Sequence, residues 1–377
     1  MWRLIVATFL FLLSLMVLFK APTNFLWRVS VAITEFPYIF IAAAVVLYII
    51  SYKADKYKTA TLIISGITIV IYSLPMIQAY QRGKNLTEDL KKSFSFKDEE
   101  QQLQQPFSFS KMFSGIGITD VTPEILTYKK LPERDLNIDF YPSGTKLISP
   151  TVIVIHGGSW AEGDSKQLPA LNSYLANKGY NVAAINYRLA PKYKSPAPIV
   201  DLKDVINYLN ENSVKLNIDT ANYILLGRSA GAQIALCAAY SFNDPNIRGV
   251  ISFYGPADMV WGARIKTNKL VLNTDKVFSD YLGGLIDQVP QKYHEACALD
   301  YINKSSTPTL IIHGKHDAMV AYEHSEHLNK KLEENNVQHY FLNLPWATHG
   351  CDYNINGPSG QLTTFTIERF LNSVMKY

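Results

Sequence analysis

Cysteine is scarce in this 377-residue chain: Cys237, Cys297 and Cys351 are the three, far apart and without a C-x-x-C pair. That excludes a disulfide scaffold and a cysteine zinc site. Charge is sparse too, at 18% of residues against 48% hydrophobic, which is the composition of a folded protein and not of a disordered tail. Acidic residues are nearly missing from the first 82 positions, where Glu35 and Asp55 stand against seven lysines and arginines. The formal net charge of +4 is therefore concentrated there, and the remainder is slightly acidic. Because the excess surrounds apolar segments and forms no basic face, a nucleic-acid partner is not expected, and membrane orientation is the better reading.

Three apolar stretches, near residues 4–20, 31–52 and 59–81, supply those segments. About 20 apolar residues cross the hydrocarbon core, so the second and third qualify and the first is at the short end. A cleaved signal peptide is the alternative for the first. Its apolar run is long for that role, and Lys20-Ala21-Pro22 makes a poor cleavage site. The reading is a three-helix transmembrane region over 1–82. Lys53, Lys56 and Lys58 in one short loop, with Arg3, place that loop inside and the rest of the chain on the extracytoplasmic side, whereas Lys20, Arg28, Arg82, Lys84, Lys91 and Lys92 argue the reverse.

Residues 83–124 read as a linker or lid segment: a polar run from Asn85 to Gln105, then an apolar fringe. Phe94, Phe96, Phe107, Phe109, Met112 and Phe113 make that fringe, which either docks the segment on the following domain or covers a pocket. From 125 to 377 short β-branched or apolar runs alternate with helical patterns, the mark of an α/β domain with a mostly parallel sheet. The runs are "ILTYK", "LNIDFY", "TVIVIH", "YNVAAIN", "NYILLG", "GVISFYG", "TLIIHG" and "QHYFLNL". Eight strands flanked by helices are expected, the first two antiparallel.

Reactive groups in such a sheet gather beyond the carboxyl ends of the strands. "TVIVIH" is followed by Gly157, Gly158, Ser159 and Trp160; "NYILLG" by Arg228, Ser229, Ala230 and Gly231; "TLIIHG" by Lys315, His316 and Asp317; "QHYFLNL" by a loop holding Thr348, His349 and Gly350. Serine, acid and histidine thus fall at three strand ends in the order Ser229, Asp317, His349. Of the eight histidines, four precede Asp317, His324 and His327 sit on a charged helix, and His339 opens a strand, which leaves His349. Gly227 and Gly231 around Ser229 permit the abrupt strand-to-helix turn that a nucleophilic serine needs; the competing reading of Ser229 is a plain N-cap. Gly157, Gly158 and Ala230 are the candidate backbone donors to an oxyanion. His313, His316 and Asp317 cluster in sequence, but no third region completes a metal site, so no metal and no cofactor is expected. Trp160, Met259, Trp261 and Tyr322 are candidate pocket walls, and Val260–Pro290 a candidate cap.

"HGGSW", "NYRLAP", "GRSAG", "YGPADM", "IIHGKHD" and "THG" together resemble the α/β-hydrolase fold, and within it the hormone-sensitive-lipase-like and bacterial feruloyl/acetylxylan-esterase-like serine esterases. The resemblance implies Ser229 as nucleophile, His349 as general acid/base, Asp317 as its orienter, and Gly157, Gly158 and Ala230 as the oxyanion hole. Two positions depart from the pattern: Ser159 stands where a third glycine is usual, and Arg228 where an acid is. The expected function is a membrane-anchored carboxylesterase or lipase-like enzyme acting on a small-molecule or lipid ester. An amidase, formamidase or peptidase would use the same triad, and a non-catalytic, hydrolase-like binding protein is the remaining alternative.

Overall fold

Each of the eight runs becomes a strand of one sheet in the computed structural model, which describes residues 1–53, 56–94, 105–145 and 147–375. The strands are β1 (Glu124–Lys130), β2 (Asp135–Tyr141), β3 (Ser149–Ile155), β4 (Asn181–Ile185), β5 (Ile218–Arg228), β6 (Ile247–Phe253), β7 (Thr309–Gly314) and β8 (His339–Leu344). Their order is β1-β2-β4-β3-β5-β6-β7-β8; β1 pairs antiparallel with β2 and β2 with β4, and every other pairing is parallel. The central strands are buried on both faces, which is why they read as continuous apolar runs and not as alternating ones.

Ten helices matter for the site. Four precede the sheet: α1 (Trp2–Ser14), α2 (Asn24–Glu35), α3 (Pro37–Ser51) and α4 (Lys58–Ser93). Six are set among or after the strands: α5 (Pro169–Asn177), α6 (Ala197–Glu211), α7 (Ala230–Ser241), α8 (Thr274–Leu282), α9 (Glu323–Glu334) and α10 (Pro358–Val374). Two apolar cores result, one on each face of the sheet. Leu202, Val205 and Ile206 of α6 and Ile234 and Leu236 of α7 fill the first. Leu175 of α5, Phe365 and Phe370 of α10, and Leu86 and Leu90 of α4 fill the second.

The N-terminal region differs from three separate spans. Among the described residues α4 alone is long and apolar enough by itself to cross a membrane. The expected span over 31–52 is broken: α2 and α3 meet at Phe36 with a bend of 85°, and only if this pair is counted as one does it become a second crossing. The cause is local. Pro37 opens α3 at a position where its missing N–H costs nothing, while Phe36 leaves the helical region at φ −126°, ψ 44°. Glu35, just before the break, is fully buried against α10 and would be costly in hydrocarbon. α1 with the short turn after it ends at Val17 and is shorter than a span.

No break separates this region from the sheet domain, since α4 runs through residue 82 to Ser93 and lays Leu86 and Leu90 in the sheet's core. The apolar fringe docks on the same face: Phe94 meets Phe370 edge-on at 5.2 Å, Phe107 and Met112 are buried, and exposed Phe113 reaches Tyr38 at 5.0 Å. Phe96 lies outside the described residues.

Candidate active site

Ser229 sits where β5 turns into α7, at φ 53° and ψ −119°. This left-handed conformation is strained for a residue with a side chain, and it is held by its surroundings. A Cβ on Gly227 would stand 2.2 Å from the Gly231 carbonyl, and one on Gly231 would stand 2.3 Å from the Ile155 carbonyl. Both glycines are therefore steric requirements of the turn. The Ser229 hydroxyl makes no capping hydrogen bond to α7, so the plain N-cap reading fails. The residue is half-buried and lines a narrow pocket with Ser159, Trp160, Ala230, Phe278 and Met319.

Asp317 and His349 meet from the loops after β7 and β8. Asp317 Oδ2 accepts from His349 Nδ1 at 2.7 Å and from His313 Nε2 at 3.0 Å; Oδ1 accepts from the N–H groups of Met319 and Val320 at 2.7 and 2.9 Å. A carboxylate can only accept, so both ring nitrogens facing it carry hydrogen, which leaves His349 Nε2 as the lone-pair nitrogen. Burial would raise the Asp317 carboxyl, but the electrostatic attraction and hydrogen bonds of the His349 and His313 rings override it and hold the group below the usual carboxylate range. His313 is itself fixed by Ser325 Oγ, 2.7 Å from Nδ1. Among the described residues His349 and the Ser229 hydroxyl share no hydrogen bond.

Of the three candidate oxyanion donors, Gly157 departs from expectation: its N–H donates to Gln167 Oε1 at 2.8 Å and is engaged. Gln167, a polar side chain ten residues on in the same loop, belongs to no motif that marks it in the sequence. A Cβ on Gly157 would lie 3.0 Å from the Arg228 carbonyl and 3.2 Å from Ser229 Cβ and would crowd the serine turn. Gly158, at φ 118°, turns the chain where a Cβ would strike the Glu162 carbonyl at 2.1 Å.

Among the candidate walls, Trp160 lines the pocket, stacked on Tyr281 at 4.3 Å, whereas Met259, Trp261 and Tyr322 do not. The cap segment contributes Gly262, Ile265, Thr267, Leu272, Thr274, Val277 and Phe278. Met319, Val320, Ala321 and His324 add a wall that follows directly on Asp317. Among the described residues no three metal-ligating side chains converge.

Arg228, one of the two residues that depart from the family pattern, is buried beneath the site. Its Nε donates to Asp352 Oδ2, and Tyr254 Oη donates to Asp352 Oδ1 at 2.6 Å. The Tyr254 ring packs 4.3 Å from that of His349. One ion pair thus ties the serine turn to the histidine loop. A charge ending the apolar run "YILLG" is the available signal that a buried partner exists. Removing one partner leaves the other charge buried, which typically costs about 3–5 kcal/mol, while replacing both by apolar groups is near neutral. Arg228→Met is expected to lower the unfolding free energy by about that amount, and Arg228→Met with Asp352→Leu to recover most of it. Denaturant titration of these two variants and of Asp352→Leu alone, beside wild type, measures the cycle; the two Nη atoms of Arg228, buried without a hydrogen-bond partner among the described residues, favour recovery.

Two buried histidines near the site set an acid limit. Burial lowers His156 to about 4, against the bond from its ring to the Gly157 carbonyl, and burial with the neighbouring His313 lowers His324 to about 3. Folded pKa values lie below the ordinary 6.5, so the unfolded chain protonates first as pH falls. Stability is unaffected above that value and declines below it, by up to about 1.4 kcal/mol per pH unit for each histidine. The thermal midpoint is expected to hold above about pH 6.5 and to drop between about pH 6.5 and pH 4; no drop in that window would contradict the burial of both rings.

A comparison with known proteins agrees with this architecture. The BD-FAE family profile matches residues 136–332, more than half of the chain; that range takes in Ser229 and Asp317 and ends before His349. Esterase LipC of Mycobacterium tuberculosis is 28% identical over 240 residues, covering 60% of this chain and 59% of its own. The probable carboxylic ester hydrolase LipM of the same organism is 24% identical over 244 residues, covering 60% and 54%. The chain thus spans less than two thirds of the length of these relatives. Among solved structures, a bacterial heroin esterase superposes with a TM-score of 0.59 at 18% identity over 71% of this chain and 89% of its own. The Francisella virulence factor BioJ gives 0.57 at 22%, over 69% and 87%. The chain belongs to the BD-FAE family and has the α/β-hydrolase fold.

Proposed function

We propose that this protein is a membrane-anchored serine hydrolase that cleaves carboxylic esters through an acyl-enzyme intermediate. The observation that carries the reading is the hydrogen-bonded Asp317–His349 pair beside a pocket that holds Ser229 on a strained, uncapped turn. His349 Nε2 takes the hydroxyl proton of Ser229 as the oxygen attacks the ester carbonyl, and returns it to the leaving alcohol. Water then attacks the acyl-serine by the same path and releases the acid. The Ser229–His349 bond forms as substrate seats, as is common for catalytic hydrogen bonds that are loose in unliganded proteins. Gly158 and Ala230 are the proposed oxyanion donors, Ala230 from the N-terminus of α7, where the amide groups favour negative charge.

Names given to the relatives, esterase and carboxylic ester hydrolase, favour an ester over an amide as the bond cleaved. Membrane anchoring is supported by the apolar residues that α1, α3 and α4 turn outward, among them Phe9, Leu12, Ile49, Ile63 and Val70. The domain is proposed to face the extracytoplasmic side, on the lysine-rich loop between α3 and α4. A membrane-impermeant fluorophosphonate tests both parts: it should label Ser229 in intact cells, and labelling only after permeabilisation would reverse the orientation. Absence of labelling in both would overturn the serine mechanism.

A further inference from the structure

Only the last five residues of α2 fall in the stretch read from the sequence as a membrane span, 31–52, and one face of α2 lies along the loop that carries His349. Trp27, Val31 and Glu35 are spaced four apart and so share a helical face. Trp27 Nε1 donates to the His349 carbonyl at 2.9 Å, and its ring meets the His349 ring at 6.1 Å with the planes at 62°. One turn on, Val31 Cγ2 lies 3.8 Å from the position a Cβ on Gly350 would take. Another turn on, Glu35 accepts from the Ser359 hydroxyl at 2.7 Å, and its carbonyl accepts from Asn354 Nδ2 at 2.8 Å.

The first residue of α2 holds the segment that contributes Leu272 to the pocket. Asn24 donates from its main chain to the Leu270 carbonyl at 2.9 Å and from its side chain to the Val271 carbonyl at 3.2 Å, next to the pocket residue Leu272. One helix with its first residues therefore bridges the histidine loop and the cap segment. The need for such a clamp is visible in the loop: Gly350, at φ 85°, follows His349 directly and offers no side chain of its own to anchor it.

We infer that α2 is a positioning element of the active site and Trp27 a positioning residue, holding His349 in line with Asp317 and Ser229, so that the N-terminal helical region is part of the catalytic unit. The inference rests on the triad reading proposed for Ser229, Asp317 and His349. α2 lies outside residues 136–332, so the family core does not supply this clamp. Misplacement of a catalytic group by about 1 Å typically costs about 10²-fold in rate, which sets the scale of the effect.

The test uses the full-length protein in detergent micelles with p-nitrophenyl butyrate. Trp27→Phe, which keeps a ring and loses the donor, is expected to lower kcat about tenfold, and Trp27→Ala about a hundredfold, each with KM within about twofold of wild type. The rate of fluorophosphonate labelling should fall in step with kcat. Arg28→Ala, elsewhere on the surface of α2, should behave as wild type. Should Trp27→Ala fail to fold, Trp27→Phe decides. Unchanged kcat in a folded Trp27 variant, or a raised KM with kcat preserved, would overturn the positioning role while Ser229→Ala remains inactive. Activity surviving in Ser229→Ala would instead remove the triad reading, and the inference with it.

Discussion

Replacement of Ser229 by alanine is expected to reduce ester hydrolysis by about 10⁴-fold or more and to abolish fluorophosphonate labelling, with the thermal midpoint close to that of wild type. On the proposed mechanism the loss is large because the oxygen is the atom that becomes covalently bound; the proposed donors of Gly158 and Ala230 and the pocket wall would survive and could stabilise only attack by water. Stability should hold because the hydroxyl makes no capping bond to α7, and the turn is dictated by Gly227 and Gly231 on either side. Measurement of kcat/KM on p-nitrophenyl butyrate, with circular dichroism to confirm folding, checks both halves. A variant within tenfold of wild type would sink the nucleophile assignment.

Asp317→Asn is the second large effect, expected to lower kcat by about 10⁴-fold. The carboxylate accepts four hydrogen bonds, two from main-chain N–H groups at Oδ1 and two from imidazoles at Oδ2. An amide has one oxygen. If that oxygen stays with Met319 and Val320, the NH2 group faces two ring N–H groups and each histidine must turn its lone pair toward it. His349 would then carry its proton on Nε2, the nitrogen that has to accept one from Ser229. The alternative, a flipped amide, leaves the two main-chain donors buried against an NH2 group, at about 1–3 kcal/mol. Rates across pH 6–9 for wild type and Asp317→Asn check this prediction. The variant's deficit should shrink at high pH, where hydroxide replaces the missing base; a deficit below tenfold at pH 7 would show that Asp317 does not set the tautomer.

Strand identity is legible because a doubly covered sheet demands runs such as "TVIVIH" and "NYILLG" that no surface helix would carry. Ser229, Asp317 and His349 are legible for the same reason, since strand ends point to where reactive loops gather. The engagement of the Gly157 amide is not, because a donor's partner is a matter of loop shape, and nothing in "HGGSW" announces Gln167. The Arg228–Asp352–Tyr254 network is illegible as a unit, although each member lies close in sequence to a proposed catalytic element; pairing across 124 residues is written in the fold and not in local spacing. α2 passes for part of a membrane span for a comparable reason. Hydropathy counts apolar residues, and Val31, Ala32 and Ile33 at the end of α2 run on into the apolar α3, although Glu35 beside them is bonded to Ser359.

α4 is a single helix of 36 residues, about 54 Å long, of which a bilayer core would occupy about 30 Å. Its far end is cemented into the sheet by Leu86 and Leu90 and bonded at Arg82 to Tyr340. With α4 in the bilayer, as proposed, such a mount joins the domain to its anchor through continuous helix and no loop, bent at most at Pro75. An enzyme on a slack tether samples every approach and every height above the lipid; one held by this shaft would be restricted in both. Esters would then be sorted by how far their scissile carbonyl stands from the bilayer, before any contact with the pocket discriminates between them.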